Sequence, residues 1–395
     1  MRLCRSSLSL LILGTLLLAA CARPAPGAAP AAPGGTSASS DAAAAPQRAA
    51  PAARAPAKPG AAPADYFAGK TITLLVNYSA GGPTDIIARM AAQYLDKHIP
   101  GRPTIVVENR AGAGGLVGKN HLYNVAKKDG YTIGVFAAVF GHQLWQADSA
   151  QYDASKFQWL SANAESAIAF VNSGLGIRNA QELARTNQEI IAGGLAPDTQ
   201  KDMQIRGFLN LLGTKYKYVT GYPGSADARL AFTRGEINYY EDSLTSWFGS
   251  FGPLLKDGLL TPVGQIGIVR DGQIIRDPRA SDIPTYTEVG VELRGESVKQ
   301  TIDYRALAAM ANLGAMIFAF LYPPGVDPAL VETMRQALAD TWADPEMIDA
   351  YERQLGFRAE IVPGAEAQSL AEKIIRDMNE DPEALEYLRR LAREK

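Results

Sequence analysis

Residues Tyr78 to Met90 read YSAGGPTDIIARM, a polar turn with two adjacent glycines that runs through Pro83 into an apolar helical pattern. Nothing in the stretch is a nucleophile, a metal box or a phosphate-loop lysine. What it can do is hold an anion. Pro83 fits the first position of a helix, where a missing N–H costs nothing. Glycines leave the neighbouring amides unobstructed, and a helix N-terminus carries partial positive charge. Backbone N–H groups near Gly81, Gly82 and Thr84 are therefore candidates for an amide cup around a carboxylate, with Gly82 expected to permit close approach and any left-handed geometry. The same Gly-Gly-Pro is also a plain helix start, and the motif alone leaves both readings open. Asp85 either meets a ligand ammonium or complements the helix dipole and ties the loop.

Other chemistry-bearing residues are sparser. The loop ENRAGAGGLVG, Glu108 to Gly118, is rich in glycine, but its spacing from Gly112 through Gly114 to Gly118 is not that of a dinucleotide turn. The following strand ends in FAAVFG without the carboxylate a ribose would need. Arg110 in that loop suits either a ligand carboxylate or solvent. Tyr222, Gly224 and Ser225 form another loop-to-helix start, and Asp242 closes an apolar strand, where it caps the next helix or faces a cleft. His98, His121 and His142 are scattered without a metal-ligand spacing. No G-x-S-x-G elbow occurs. No metal, no cofactor and no catalytic residue is expected.

The elements that must position these groups alternate. TITLLVNY, TIVVEN and YTIGVFAA read as strands, separated by helical periods from Pro83 to His98 and through GGLVGKNHLYNVAKK. The alternation continues through SAIAFVNS, AQELARTN, EIIAGG, TQKDMQIRGFLNLLG, KYKYVTG, SADARLAFTRG and INYYED. Strands alternating with helices predict an α/β architecture with mostly parallel sheets, and the length predicts two lobes. In such sheets ligands sit beyond the carboxyl ends of the strands, which is where the YSAGGPTD loop falls. LAAMANLGAMIFAFLY, Leu307 to Tyr322, is apolar but short, so it reads as a helix followed by a buried strand and not as a membrane span.

The first 65 residues have another character. Arg2 and Arg5 precede an apolar run, Leu8 to Leu18, which ends in LAAC at Cys21. This has the length of a signal segment and resembles a lipobox, so residues 1–21 are expected to be a lipoprotein signal peptide and Cys21 the lipidated residue. Residues 22–65 are nearly all Ala, Pro, Gly and Ser, and read as a disordered tether, roughly 140 Å long if fully extended. With 39 basic and 41 acidic residues and no basic run, nucleic acid is excluded as a partner and the membrane is met only through the lipid.

Five motifs in order then resemble one family. Tyr78, Ala80, Gly81, Gly82 and Asp85 match Y-x-A-G-G-x-x-D; Val106 to Gly115 read VVENRAGAGG; Asp129 to Thr132 read DGYT; Asp282 to Gly290 and Pro323 to Pro328 supply DIPTxxExG and PxGxxP. The chain is similar to the Bug-type extracytoplasmic substrate-binding proteins of tripartite tricarboxylate transporters, from Tyr66 onward. The resemblance implies a two-lobed, periplasmic-binding-protein-like fold (type II), with 66–170 as the first part of lobe 1, 171–306 as lobe 2 and 307–395 returning to lobe 1. It implies an exported, periplasmic or cell-surface receptor, not an enzyme, that captures a small carboxylate and presents it to a membrane transporter or sensor. Ligand contacts are expected from Tyr78, Ala80, Gly81, Gly82, Thr84, Asp85 and Gly114, and across the cleft from Thr199, Tyr222, Gly224, Ser225 and Asp242. The sequence departs from the family at GLAPDTQKDM, where Asp198 and Thr199 replace small hydroxyl residues. It departs again at FAAVFGHQLW, where Phe136, Phe140 and Trp145 are expected to wall the cleft. The alternatives are an exported scaffold lipoprotein and an unrecognised hydrolase-like enzyme.

Overall fold

The computed structural model describes residues 63, 65–145 and 149–394. All of them belong to one compact unit, Ala57–Lys395. The expected signal peptide, Cys21 and all of the expected tether except residues 63 and 65 lie outside the described residues.

In chain order the first lobe begins with β1 (Thr71–Val76), α1 (Pro83–Tyr94), β2 (Thr104–Asn109), α2 (Leu116–Asn124), β3 (Thr132–Ala137), α3 (Gly141–Leu144) and β4 (Gln158–Ala164). The second holds β5 (Ala167–Asn172), α4 (Ala180–Arg185), β6 (Ile190–Gly193), α5 (Gln200–Leu212), β7 (Tyr216–Val219), α6 (Ser225–Thr233), β8 (Tyr239–Ser243), α7 (Gly252–Lys256), β9 (Leu260–Gln265), a hairpin of β10 (Ile268–Arg270) and β11 (Gln273–Ile275), α8 (Tyr286–Arg294) and α9 (Ile302–Ala311). The chain then returns through β12 (Phe318–Tyr322), α10 (Pro328–Ala343), α11 (Pro345–Leu355), β13 (Glu360–Pro363), α12 (Gly364–Met378) and α13 (Pro382–Arg393).

Two principal sheets result, ordered β13-β4-β12-β3-β1-β2 and β7-β6-β8-β5-β9. The βαβ parts are parallel (β1 with β2 and β3, β6 with β7 and β8), as the alternation of elements requires. The expectation of mostly parallel sheets needs correction, because β12, β4 and β13 pair antiparallel in the first sheet and β5 pairs antiparallel with β8 and β9 in the second. Those strands do not come from βαβ repeats: β4, β5 and β12 adjoin the segments that carry the chain between sheets. The crossing from β4 to β5 is only Glu165 and Ser166, so the expected boundary at residue 170 falls inside β5.

The apolar stretch from Leu307 splits as expected. Its helical part ends at Ala311, and β12 is buried along its whole length, with Phe318 to Tyr322 at 1% exposure or less. No described helix is long and apolar enough to cross a membrane. On α1, Ile87, Ala88, Met90 and Ala91 are buried at helical spacing. Burying an Ile or Met side chain contributes roughly 1.5–3 kcal/mol, so the face that holds this helix against its sheet also fixes where its N-terminus points.

Candidate functional site

The carboxyl ends of the parallel strands in both sheets converge on one cleft. After β1, Asn77 clamps β1 to β3: its side-chain amide donates to the Ala137 carbonyl and accepts from the Ala137 N–H, both at 3.2 Å. Tyr78 donates from its hydroxyl to the Gly114 carbonyl at 2.9 Å, tying the two glycine loops together. The left-handed residue is Gly81, at φ +81°, whereas Gly82 is extended at φ −86°; the expectation of left-handed geometry at Gly82 is corrected accordingly. Gly82 caps α1 without a side-chain hydrogen bond. The N–H groups of Thr84 and Asp85 in the first turn therefore have no intrahelical acceptor.

Gly81 is not free to serve. Its N–H donates to Asp85 Oδ2 at 2.9 Å, and the same carboxylate accepts from Arg89 Nε at 2.8 Å and from Asn109 Nδ2 at 3.0 Å. Burial alone would raise the Asp85 carboxyl, but the hydrogen bonds from Arg89, Gly81 and Asn109 outweigh it and hold the group below its ordinary value. Asp85 thus braces the loops after β1 and β2. The backbone donors left open on this side are those of the first turn of α1.

The second lobe supplies the opposite wall. Thr199 caps α5, accepting from the Asp202 N–H, and the first turn then presents Gln200 and Lys201. Lys201 Nζ donates to Asp242 Oδ1 at 2.7 Å and to Ser225 Oγ at 2.8 Å, and lies 3.3 Å from the Tyr240 hydroxyl. Asp242, near the end of β8, is fully buried, and its Oδ2 has no partner among the described residues. Next to it, Glu241 accepts from the Tyr286 hydroxyl through Oε2, while Oε1 has no such partner. Burial pushes the Glu241 carboxyl up to about 8, against the opposing hydrogen bond from Tyr286 and the charge of Lys201.

Tyr78, Gly82, Thr84, Gln200, Lys201, Gln204, Ser225, Glu241 and Asp242 line a shared cavity of about 50 Å³, together with Pro83, Ala137, Ala138, Ala167, Leu195, Ser243, Ile317 and Phe318. Gln200 and Gln204 are both buried there, at 4% and 2% exposure.

Of the expected contacts, Tyr78, Gly82, Thr84, Ser225 and Asp242 meet in this cavity. Ala80, Gly81, Asp85, Gly114, Thr199, Tyr222 and Gly224 do not line it. Several of them bring the lobes together instead. A Cβ on Gly224 would lie 2.3 Å from Ser79 Oγ, one on Gly114 would lie 2.5 Å from Thr199 Cγ2, and one on Gly81 would meet Ala226 at 3.7 Å. Ser79 Oγ also donates to Asp227 Oδ2 at 2.8 Å. The glycine loops are one of the places where the two lobes touch.

Phe136, Phe140 and Trp145 do not wall the cleft. All three are buried in the first lobe, with Phe140 stacked on Trp159 at 5.5 Å and Phe136 edge-on to Phe157. The expectation failed because helices cover both faces of a doubly wound sheet, so an aromatic run past its strand packs as core. The sequence reading missed Lys201 and Gln204. One signal was present: Lys201 sits in the first turn of a helix, where a cation opposes the dipole and needs a carboxylate partner.

Behind the cleft wall lies a second buried polar group. Lys119 Nζ donates to the Ala138 carbonyl at 2.6 Å and to His142 Nδ1 at 3.0 Å. Burial lowers the lysine to about 7, and burial followed by the neighbouring Lys119 lowers His142 well below its usual range. His142 Nε2 lies 3.8 Å from Asp198 Oδ1, but a neutral imidazole at that distance forms neither an ion pair nor a hydrogen bond.

This architecture is shared with known proteins. A family model described as "Tripartite tricarboxylate transporter family receptor" matches residues 87–380. The chain belongs to that family. A UPF0065 protein encoded in the gbd 5′ region of Cupriavidus necator is 26% identical over 290 residues, covering 71% of this chain and 76% of that protein. The periplasmic binding protein BugD has the same fold, with a TM-score of 0.61 at 19% identity over 79% of this chain and 96% of BugD. So does MatC from Rhodopseudomonas palustris, solved with bound malate, with a TM-score of 0.61 at 18% identity over 79% of this chain and 98% of MatC. The family is one of receptors, so this member is a solute-binding protein and not an enzyme.

Proposed function

We propose that this family member is an extracytoplasmic receptor that captures a small carboxylate between its two lobes and presents it to a membrane transporter. The observation that carries the reading is the convergence, in one small cavity, of the open first turn of α1 with Lys201, Gln200 and Gln204 of α5. These are donors of the kind a carboxylate accepts from. Hydrogen bonds to a charged acceptor contribute roughly 1.5–3 kcal/mol each, so a few of them account for most of a micromolar affinity near 8 kcal/mol. The malate in the similarly folded MatC is in keeping with this chemistry. An export signal and a lipid on Cys21 would complete the role, keeping the receptor beside its transporter.

A ligand at a hundred times its dissociation constant adds about 2.7 kcal/mol of stability. A thermal-shift panel of mono-, di- and tricarboxylates should therefore raise the melting midpoint by several degrees for at least one compound, which mass spectrometry should recover unchanged. Silence across the panel would overturn the reading. Intact-mass analysis of the membrane fraction tests the anchor: a chain starting at Cys21 with added lipid supports it, and a soluble product cut elsewhere refutes it.

A further inference from the structure

The last helix does not stay with the lobe that delivers it. α12 lies along β4 and β13 of the first sheet, yet after Asn379, Glu380 and Asp381 the chain enters α13, which packs against α9 and α5 of the second lobe. Ala384, Leu385, Leu388 and Leu391 form its buried face, at helical spacing. At its start, Arg305 of α9 donates to both Asp381 oxygens, at 2.9 and 2.8 Å, and to Glu383 Oε2 at 2.9 Å. Midway, Asn210 of α5 donates to the Tyr387 hydroxyl at 3.4 Å, and Arg389 Nε reaches the Leu144 carbonyl of the first lobe at 3.4 Å. At its end, Arg206 of α5 donates from Nη1 to the Glu394 carbonyl at 3.1 Å.

Arg206 carries this contact into the cleft wall. It is buried and forms no salt bridge among the described residues; its guanidinium is held by carbonyls, with Nη1 on Glu394 and Nη2 on Pro197. The same guanidinium lies over the Tyr218 ring, 4.9 Å from its centre, and Tyr218 donates to Asp202 Oδ1. Asp202 Oδ2 in turn accepts from the Leu195 N–H at 3.0 Å and from the Thr199 hydroxyl. Leu195 lines the cavity, and Thr199 caps the helix whose first turn brings Gln200 and Lys201 to it. A buried guanidinium needs acceptors for its N–H groups. One that lost the Glu394 carbonyl would have to seek another, and the loop that shares it would shift.

We infer that α13 is a strap by which the first lobe fixes the second lobe's cleft wall, with Arg206 as the positioning residue that joins them. Calling residues 195–199 a ligand wall rests on the receptor reading. The rigidity of that loop does not, so either can fail alone.

Hydrogen–deuterium exchange of the full chain, without added ligand, tests the strap at the Leu195 and Thr199 amides, with β1 as the reference for global opening. Leu388→Ala, which strips packing from the buried face of α13, should speed exchange at 195–199 at least tenfold while β1 keeps its rate. Leu388→Met, of similar volume, should restore protection. Arg206→Lys keeps the charge but lacks the fork that bridges two carbonyls, so it should speed the same amides. Adding Leu388→Ala to it should speed them no further. If circular dichroism shows Leu388→Ala to be unfolded, the milder Arg305→Gln takes its place, with a rise of at least threefold expected. Unchanged exchange at 195–199 in a folded strap variant would overturn the inference. So would equal acceleration of 195–199 and β1, the mark of a helix that only adds stability. Full additivity in the double variant would remove Arg206 as the link and overturn it too.

Discussion

Gly224 illustrates how a residue outside the lining of the cavity can still be expected to govern binding. A Cβ there would lie 2.3 Å from Ser79 Oγ and 3.2 Å from the Ser79 backbone nitrogen, and Ser79 belongs to the other lobe. Gly224 itself is extended, at φ −172°, so alanine brings no backbone strain. The clash is relieved by parting the lobes and leaves both folds intact. Overpacking of this kind costs typically 1–3 kcal/mol, so Gly224→Ala should weaken ligand binding roughly ten- to a hundredfold while the melting midpoint of the empty protein changes little. Titration and thermal melts on the same sample would separate the two effects; a large loss of stability with normal affinity would contradict this account. That Ser225 and Asp242 line the cavity was legible because each ends a strand or opens a helix at the carboxyl edge of a sheet. Lys201 and Gln204 were not, since the side of a helix that looks into a cleft depends on where the other lobe sits. Gly224, expected at the ligand, lies outside the cavity lining and against Ser79, a placement that spacing along one chain does not encode.

At the scale of elements, the βαβ runs were readable from period and turn chemistry, and the crossings were not. The link from β4 to β5 is short, and its side chains are tied to distant segments. Glu165 accepts from the Thr245 N–H at 3.2 Å and from its hydroxyl at 3.0 Å, while the Ser166 N–H donates to Asp277 Oδ2 at 3.1 Å. Burial pushes the Glu165 carboxyl up to about 7, against opposing contributions from Arg279 and Thr245. Its folded value thus exceeds the unfolded value, so the folded protein holds the extra proton between roughly pH 4.5 and 7. Stability from this group is fully present at the acid end and is lost as pH rises through that window, at up to about 1.4 kcal/mol per unit. Glu165→Gln, whose amide oxygen still accepts from Thr245, should lose less on going from pH 5 to 7.5. Equilibrium urea unfolding across this range checks the difference; parallel curves for the two proteins would show that the carboxyl ionises normally at the crossing.

For the whole molecule, five motifs in order pointed to the architecture and its family, and they did so because each is a backbone requirement at a loop. Gly112, Ala113, Gly114 and Gly115 all have positive φ in succession, a path that few sequences can follow. Such constraints survive when the ligand chemistry changes, which is why the fold was clear while the lining of the cleft was not. The aromatic run of Phe136, Phe140 and Trp145 misled for the complementary reason: side-chain identity says little until both faces of a sheet are known to be covered.

The Lys119 group, set behind the cleft wall, has a use of its own as a clock. An amine lowered to about 7 is largely unprotonated at pH 8, and so intrinsically reactive toward acylating reagents, yet Lys119 is fully buried. Its companion His142 borders Gly114, and Gly114 abuts Thr199 of the other lobe. Reagent would gain access only during excursions that separate those loops, so the modification rate at this one lysine would count openings. Saturating ligand should slow labelling of Lys119 and leave exposed Lys256 unaffected, and peptide mapping over a time course would read both. Equal protection of the two lysines, or none at either, would mean that the wall does not move with the ligand.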